Sequence, residues 1–249
     1  MNLAFLTADE PVYLPDFFER VLKEFGAATD CVYTVPPLYK GQGPGAAAWR
    51  YYRTFGAAAV ASLSRRLIQA KFSQRSIADV CARHGVRHAV ARDVNAPDFV
   101  DEIVRSEIDA VVSVSCPQIF KTALLEAPTL GCLNIHGALL PQYRGIMPSF
   151  WMLANGEREA GVTVYFMNED IDAGEIAAQR SFEITPNETL DEFLQRSKCI
   201  AADLLIEVLG ELSEGTVSRR PMDMSEGSYY SWPDRSSVRR LIAAGHRVW

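Results

Sequence analysis

The chain has 249 residues, of which 48% are hydrophobic and 22% charged, and its net charge at pH 7 is -6. This composition is typical of a folded globular protein, and it argues against disorder and against non-specific attraction to nucleic acid. The five cysteines are scattered without C-x-x-C spacing, and no apolar run is long enough to span a bilayer, so we expect a cytoplasmic protein with reduced thiols.

The N-terminal residues predict a strand, a helix and a second strand. The apolar run Leu3 to Thr7 is typical of a buried parallel strand, and hydrophobic residues from Phe17 to Phe25 recur at helical spacing before Gly26. A second strand is expected at 31–35. The loop after the first strand reads A-D-E-P-V-Y-L-P and contains no glycine, so it lacks the turn that binds a dinucleotide pyrophosphate.

Residues of about 40–72 form a basic helical insertion in this acidic chain. Between Cys31 and Ala78 there is no Asp or Glu but there are seven basic residues: Lys40, Arg50, Arg53, Arg65, Arg66, Lys71 and Arg75. Apolar residues from Trp49 to Leu67 recur every three or four positions, which predicts one stripe of an amphipathic helix. Two interpretations stay open: a packed helix with solvated arginines, or a docking surface for acceptor phosphates or an anionic membrane.

Strands and helices then alternate, which predicts a Rossmann-like α/β fold with an open, mostly parallel sheet and helices on both faces. Ser73 is expected to cap a helix that ends near Gly85. The strands are expected at 88–91, 110–114, 130–136, 162–167 and 175–184, and the other helices at 99–104, 123–126, 148–155 and 189–215. We predict one domain over 1–215 and a short C-terminal extension over 216–249.

The central strand ends on two polar side chains. Because side chains alternate along a strand, Asn134 and His136 share one face, and Gly137 and Pro141 end the strand directly afterwards. Ligands bind at such carboxyl ends in open parallel sheets. The acidic loop 168–175 follows a later strand, but it lacks the glycine and glutamate of a calcium loop, so we predict no metal site.

These residues carry a resemblance to a known family. The string N-I-H-G-A-L-L-P-Q-Y-R-G from Asn134, then Trp151, G-V-T at 161 and D-A-G-E-I at 172, resembles the folate-dependent formyltransferases. That family includes methionyl-tRNA, glycinamide ribonucleotide and nucleotide-linked amino-sugar enzymes. The likeness covers about Asp109 to Leu209 and implies the formyltransferase fold.

The resemblance also implies a site. Asn134, His136 and Asp172 match the family's catalytic trio, and the co-substrate is 10-formyltetrahydrofolate. The residues that match its folate contacts are Pro117, Gln118, Ile119, Ala138, Leu139, Leu140, Pro141, Asn168, Glu169, Asp170, Ile171 and Asp172. In such chemistry an amide and a protonated imidazole would stabilise negative charge on the formyl oxygen, and the carboxylate would favour the charged imidazole.

The acceptor is inferred by elimination. A glycine-rich phosphate loop like that of glycinamide ribonucleotide enzymes is missing after the first strand, and the residues after Gly215 are too few for the C-terminal barrel of methionyl-tRNA enzymes. We therefore favour a small, phosphate-bearing amine, namely a nucleotide-linked amino sugar used in polysaccharide biosynthesis, and no nucleic-acid partner. The alternatives are a methionyl-tRNA or hydroxylated-amine formyltransferase and, in a different class, a non-catalytic folate or nucleotide-binding protein. A peripheral membrane contact through the basic helix and a homodimer also stay open.

Overall fold

The computed structural model describes residues 1–37, 44–73 and 75–249. Within them the strands are β1 Leu3–Thr7, β2 Thr29–Thr34, β3 Arg87–Val90, β4 Ala110–Val114, β5 Gly131–His136, β6 Arg144–Gly145, β7 Glu159–Phe166, β8 Ile176–Glu183 and β9 Tyr229–Tyr230. The α-helices are α1 Leu14–Phe25, α2 Pro44–Phe72, α3 Ile77–Arg83, α4 Pro97–Arg105, α5 Thr122–Leu125, α6 Pro148–Ala154, α7 Leu190–Glu214 and α8 Arg235–Ala243.

Seven strands form one mixed sheet in the order β3-β2-β1-β4-β5-β7-β8. The first five strands in this order (β3, β2, β1, β4 and β5) are parallel. β7 runs antiparallel to β5, and β8 runs antiparallel to β7. The predicted open, mostly parallel sheet is therefore confirmed. The carboxyl ends of β1, β4 and β5 lie next to one another at one edge.

Helices cover both faces of the sheet, as the α/β alternation predicts. Alternate residues of each strand point to opposite faces, so that Leu3 and Phe5 contact the core below α1, α3 and α7, while Ala4 and Leu6 contact the core that contains α4 and α5 residues. Strands buried on both faces read as continuous apolar runs, which is why β1 and β4 are recognisable from sequence.

Helix-capping residues explain two boundaries. α7 begins after Thr189, which forms a capping box with Glu192, and ends at Gly215 in the left-handed conformation, close to the predicted bounds. The prediction that Ser73 caps α3 is wrong. Ser76 caps that helix through a box with Asp79, whereas the backbone N–H of Ser73 donates to Gln69 at the end of α2.

The basic helix α2 does not present the single packed stripe that its spacing predicts. Gly56 lies inside it with φ +85°, so the helix has a kink there and the phase of the two segments differs. Trp49, at 60% exposure, and Tyr52 point into solvent, while Ala59 is buried. Lys40, at the start of the predicted insertion, lies outside the described residues.

Residues 216–249 pack against the rest of the chain. β9 pairs with β6, and α8 contacts α6, with the Nε1–H of Trp151 donating to the Ser231 carbonyl. A separate apolar cluster joins these elements to the start of α7. In the part of the chain that the structure describes, no helix has the length and apolarity needed to cross a membrane.

Candidate functional site

Three polar side chains that are distant in sequence meet where β5 ends. β5 carries both Asn134 and His136 to this edge, and the loop after β7 brings Asp172 to the same place. The His136 Nδ1 atom lies 3.8 Å from Asp172 Oδ1, and the two side chains are only 7% and 11% exposed. The structure therefore brings the three residues of the sequence prediction together in one partly enclosed site.

Tyr165 connects two members of this trio and was not singled out from sequence. Its hydroxyl accepts a hydrogen bond from Asn134 Nδ2 at 2.9 Å and donates one to Asp172 Oδ1 at 2.9 Å. Burial and the neighbouring carboxylate both raise the pKa of Tyr165, so the phenol remains protonated and keeps its donor. Tyr165 faces Asn134 directly because β5 and β7 are antiparallel.

The hydrogen bonds of His136 decide which nitrogen carries the proton. Nε2 lies 2.7 Å from the carbonyl oxygen of Tyr143, which can only accept, so Nε2 holds a hydrogen. Nδ1 of the neutral ring is then an acceptor that faces Asp172. Burial lowers the pKa of His136, and the positive charges of Lys198 and Arg144 lower it further. Asp172 and the hydrogen bond to Tyr143 raise this pKa, but they oppose the decrease only in part. The expected charged resting imidazole is therefore not favoured.

A short loop fixes the position of Asp172. The backbone N–H of Gly145 donates to Asp172 Oδ2 at 2.8 Å. Gly145 has φ +90°, and a Cβ at this position would lie 2.3 Å from the Tyr230 carbonyl oxygen, so only glycine fits. The R-G pair in the sequence motif thus allows β6 to pair with β9 while its amide holds the carboxylate.

The predicted folate-contacting residues fall into two groups. One group has buried side chains that hold the loops: Gln118 bonds the backbone of Val94, Pro36 and Arg92, and Ala138 and Leu140 bond Thr163 through their backbone. The members of the other group are partly or largely exposed. Ile119 is 64% and Ile171 45% exposed, and Pro117, Leu139, Pro141, Asn168, Glu169 and Asp170 also reach the surface.

A hydrogen bond joins the segment after β4, which carries Ile119, to the loop after β7, which carries Ile171. The Thr122 hydroxyl, shortly after Ile119, donates to the carboxylate of Glu169. In the second loop, Asn168 accepts from the backbone N–H of Asp170 at 3.1 Å, which shapes the turn that leads to Asp172. The two exposed isoleucines therefore stand on loops that are held to each other.

Lys198 of α7 adds a positive charge beside the trio. Its Nζ donates to Ser115 Oγ at 2.9 Å, directly after β4, and its charge disfavours protonation of His136. Desolvation lowers the pKa of Lys198 itself. Sequence periodicity had placed this residue only on a long helix. The neighbouring strand ends are what identify it as part of the site.

At the start of α1, a negatively charged side chain of the chain itself occupies the helix N-terminus. The Glu10 carboxylate accepts from the backbone N–H groups of Val12, Tyr13 and Leu14 at 2.7, 2.8 and 3.1 Å. A helix N-terminus is a general anion-binding site, and here a carboxylate of the chain itself occupies it. This agrees with the sequence interpretation that the loop after β1 is not a phosphate loop. Within the described residues no group of three His, Cys, Asp or Glu is arranged to hold a metal ion.

Comparisons with known proteins point to one family. Residues 56–209 match the family model described as "Formyl transferase". The chain is 37% identical over 180 residues to a methionyl-tRNA formyltransferase of Geobacter metallireducens, covering 68% of this chain and 58% of that protein. A second such enzyme, of Ruminiclostridium cellulolyticum, is 31% identical over 64% of this chain and 51% of its own length. The chain thus spans between half and three fifths of these relatives.

Solved structures share the fold over a larger part of the chain. A 4-N formyltransferase from Francisella tularensis matches with a TM-score of 0.64 at 17% identity, over 99% of this chain and 87% of that one. An N-formyltransferase from Helicobacter canadensis, in complex with folinic acid and dTDP-3-aminofucose, gives 0.63 at 16% identity, over 97% and 81%. A glycinamide ribonucleotide transformylase from Symbiobacterium toebii gives 0.61 at 16% identity, over 90% and 95%.

Proposed function

The chain belongs to the formyl transferase family of one-carbon transferases, and we propose that it moves a formyl group from 10-formyltetrahydrofolate to a primary amine of a small acceptor. The observation that carries the proposal is the convergence of four side chains at the end of β5: hydrogen bonds join Asn134, Tyr165 and Asp172, and His136 lies 3.8 Å from Asp172. We include a cytoplasmic location in the proposal, since all five cysteines are free.

Each polar group has a role in this reaction. One hydrogen of the Asn134 amide is bound to Tyr165, and the second donates to the formyl oxygen as negative charge develops there. His136 Nδ1, which is an acceptor in the neutral ring, takes the proton that the attacking amine must lose. The imidazolium that results is stabilised by Asp172 and returns the proton to the departing nitrogen. No covalent enzyme intermediate is required.

We propose that the loops that carry Ile119 and Ile171 contact the folate co-substrate. A pterin ring is flat, with two aromatic faces and polar edges, and the exposed side chains of Ile119 and Ile171 offer apolar surface for such a face on two loops that the Thr122–Glu169 bond joins. The backbone of residues 117–119 and 168–172 would supply hydrogen bonds to the polar edges. Gln118, Ala138 and Leu140 act indirectly, because the side chain of Gln118 and the backbone of Ala138 and Leu140 hold these loops.

For the acceptor we propose a nucleotide-linked amino sugar. Support comes from the Helicobacter canadensis N-formyltransferase, which was solved with dTDP-3-aminofucose and whose fold matches 97% of this chain, and from Glu10, which occupies the helix terminus that a ribonucleotide phosphate would otherwise use. Lys198, beside the trio, supplies a positive charge for an acidic acceptor. Methionyl-tRNA is the second candidate acceptor, and the 31% and 37% identities to enzymes of that name favour it.

The test is release of tetrahydrofolate when the purified chain is mixed with 10-formyltetrahydrofolate and one amine at a time. The panel contains nucleotide-linked amino sugars and methionyl-tRNA. We expect turnover with an amino sugar and a ~10²- to 10³-fold lower rate for Asp172→Asn, because the partner of His136 and Tyr165 loses its charge. Asp101→Asn, an exposed aspartate on α4 that has no part in the proposed site, is the matched control and should retain activity.

Two outcomes would contradict the proposal at different levels. Turnover with methionyl-tRNA alone would replace the acceptor but keep formyl transfer. Folate binding without turnover for any amine would instead indicate a non-catalytic binding protein, and the matched Asp172 and Asp101 variants would then behave alike.

A further inference from the structure

The basic helix α2 presents an apolar outer face that the proposed reaction does not use. In its second segment Ile68 is 57% and Phe72 82% exposed, and Leu67 is 43% exposed. On a helical projection, Ile68 and Phe72 lie opposite the buried Ala59, at the centre of the solvent side. Large apolar side chains that protrude together on one helix face are unusual for a surface that contacts only water.

Cations flank this apolar face. Arg65 and Lys71 are both exposed and lie on either side of the line through Ile68 and Phe72. The sequence from Cys31 to Ala78 contains no acidic residue, although the whole chain has a net charge of -6. The positive charge is therefore concentrated on this helix.

Arg66, unlike Arg65 and Lys71, is paired within the described part of the chain. Its guanidinium pairs with Asp191 at 2.6 Å and lies over the rings of Tyr13 and Trp249. Arg75 likewise pairs with Asp16. These two arginines hold the helix and its surroundings in place, so the outward charges on this segment come from its other cations.

The first segment of α2 repeats the pattern. Trp49 stacks on Tyr52 with ring centroids 5.4 Å apart, and both rings are exposed beside the exposed Arg53. Tryptophan and tyrosine prefer the boundary between water and lipid, where one part of the ring is dry and the polar atom is hydrated.

We propose that α2 is a docking surface for an anionic lipid membrane, with Ile68 and Phe72 entering the headgroup region and Arg65 and Lys71 contacting lipid phosphates. Interfacial helices combine these two features, apolar insertion and cationic flanks. Contact with a second copy of the chain through this face would place like charges opposite each other, and RNA phosphates would give the apolar side chains no partner.

The test is co-sedimentation of the full chain with phosphatidylcholine vesicles, with and without phosphatidylglycerol. We expect binding only to the anionic vesicles, a decrease at high salt, and a blue shift of tryptophan emission on binding. The double variant Ile68→Ser, Phe72→Ser and the double variant Arg65→Glu, Lys71→Glu should each reduce partitioning by ~10-fold or more, with formyl transfer to a soluble acceptor unchanged.

Matched variants elsewhere provide the controls. Val104→Ser with Ile242→Ser removes two similarly exposed apolar side chains, and Lys23→Glu with Arg105→Glu reverses two exposed charges. None of these should alter partitioning. Equal binding of wild type and both α2 variants, or no binding to anionic vesicles, would overturn the proposal. So would a dimer in solution that only the α2 variants dissociate, or RNA binding that the charge variant alone removes.

Discussion

At the scale of single residues, the protonation of His136 governs the pH dependence. Burial lowers its pKa below the ordinary value of 6.5, and the proposed reaction needs the neutral ring. The rate should therefore stay high as the pH falls to 6.5 and decrease only below that value. We expect kcat/KM to show an acid limb below pH 6.5, which a pH–rate profile will measure.

The same shift affects stability. Because the pKa of His136 is lower in the folded chain, the unfolded chain takes up the proton first as the pH falls. The free energy of unfolding should therefore be unaffected by this group above pH 6.5, and it should decrease as the pH falls from 6.5 toward the folded pKa. A variant His136→Asn lacks both effects. If its residual activity kept the same acid limb, another group would be responsible.

Tyr165 is a second residue whose contribution can be isolated. Tyr165→Phe removes the acceptor for the Asn134 amide and the donor to Asp172 without changing the ring. We expect kcat to fall ~10- to 100-fold with a small change in KM, because the hydroxyl positions groups that act in the transition state. Steady-state kinetics beside Tyr229→Phe, an exposed tyrosine, will measure this. Equal kinetics for the two variants would show that the bridge has no role.

At the scale of elements, the pairing of β6 with β9 depends on one glycine. Gly145→Ala would push a methyl group against the Tyr230 carbonyl at a φ that disfavours side chains. We expect a loss of ~1–3 kcal/mol in unfolding free energy and a fall in activity, since the amide that holds Asp172 moves.

Gly210 in α7 is the matched control. A Cβ there meets nothing within 4 Å, so Gly210→Ala should stabilise the helix by ~0.5–1 kcal/mol. Chemical denaturation of both variants measures the difference. A neutral Gly145→Ala would mean that the strand pair is not needed to hold the carboxylate.

The elements that sequence patterns identify are those with a strong local signal. β1 and β4 are continuous apolar runs, and α7 has a capping box and a terminal glycine. The stripe expected on α2 was wrong because Gly56 changes the helical phase, which spacing alone does not reveal. α8 was not predicted, since its mostly polar sequence buries only Ser237 and Leu241.

In the candidate site too, local patterns predict some residues and tertiary contacts determine the others. Asn134 and His136 share a face by the two-residue period of one strand, so local geometry suffices. Tyr165 requires the antiparallel register of β5 and β7, and Lys198 requires the position of α7 beside β4. Those relations join residues far apart in the chain, and no local pattern contains them.

At the scale of the whole molecule, Arg66 ties four parts of the chain together. It pairs with Asp191 of α7 and lies over Tyr13 before α1 and Trp249 at the C-terminus, while its neighbour Arg65 is exposed. Arg66→Ala should lower the free energy of unfolding by ~1–3 kcal/mol, because the partly buried charge of Asp191 then loses its cationic partner and keeps the hydrogen bond from the Tyr13 hydroxyl. Arg65→Ala should change stability by less than ~0.5 kcal/mol.

Thermal and denaturant unfolding of the two variants provides the comparison. The residues are adjacent and chemically identical, so composition and net charge change equally in both. Similar midpoints would show that the contacts of Arg66 do not stabilise the assembled chain.

The carboxylate of Glu10 has a wider consequence for how acceptor preference can change. Backbone amides recognise a phosphate whatever side chains surround them, and such recognition is hard to alter by substitution. Here the amides at the start of α1 are already bound by Glu10, so for the acceptor that we propose we expect side chains such as Lys198 to bind its acidic part. Under the proposed function, acceptor choice would then depend on side chains, which single amino-acid replacements can redirect.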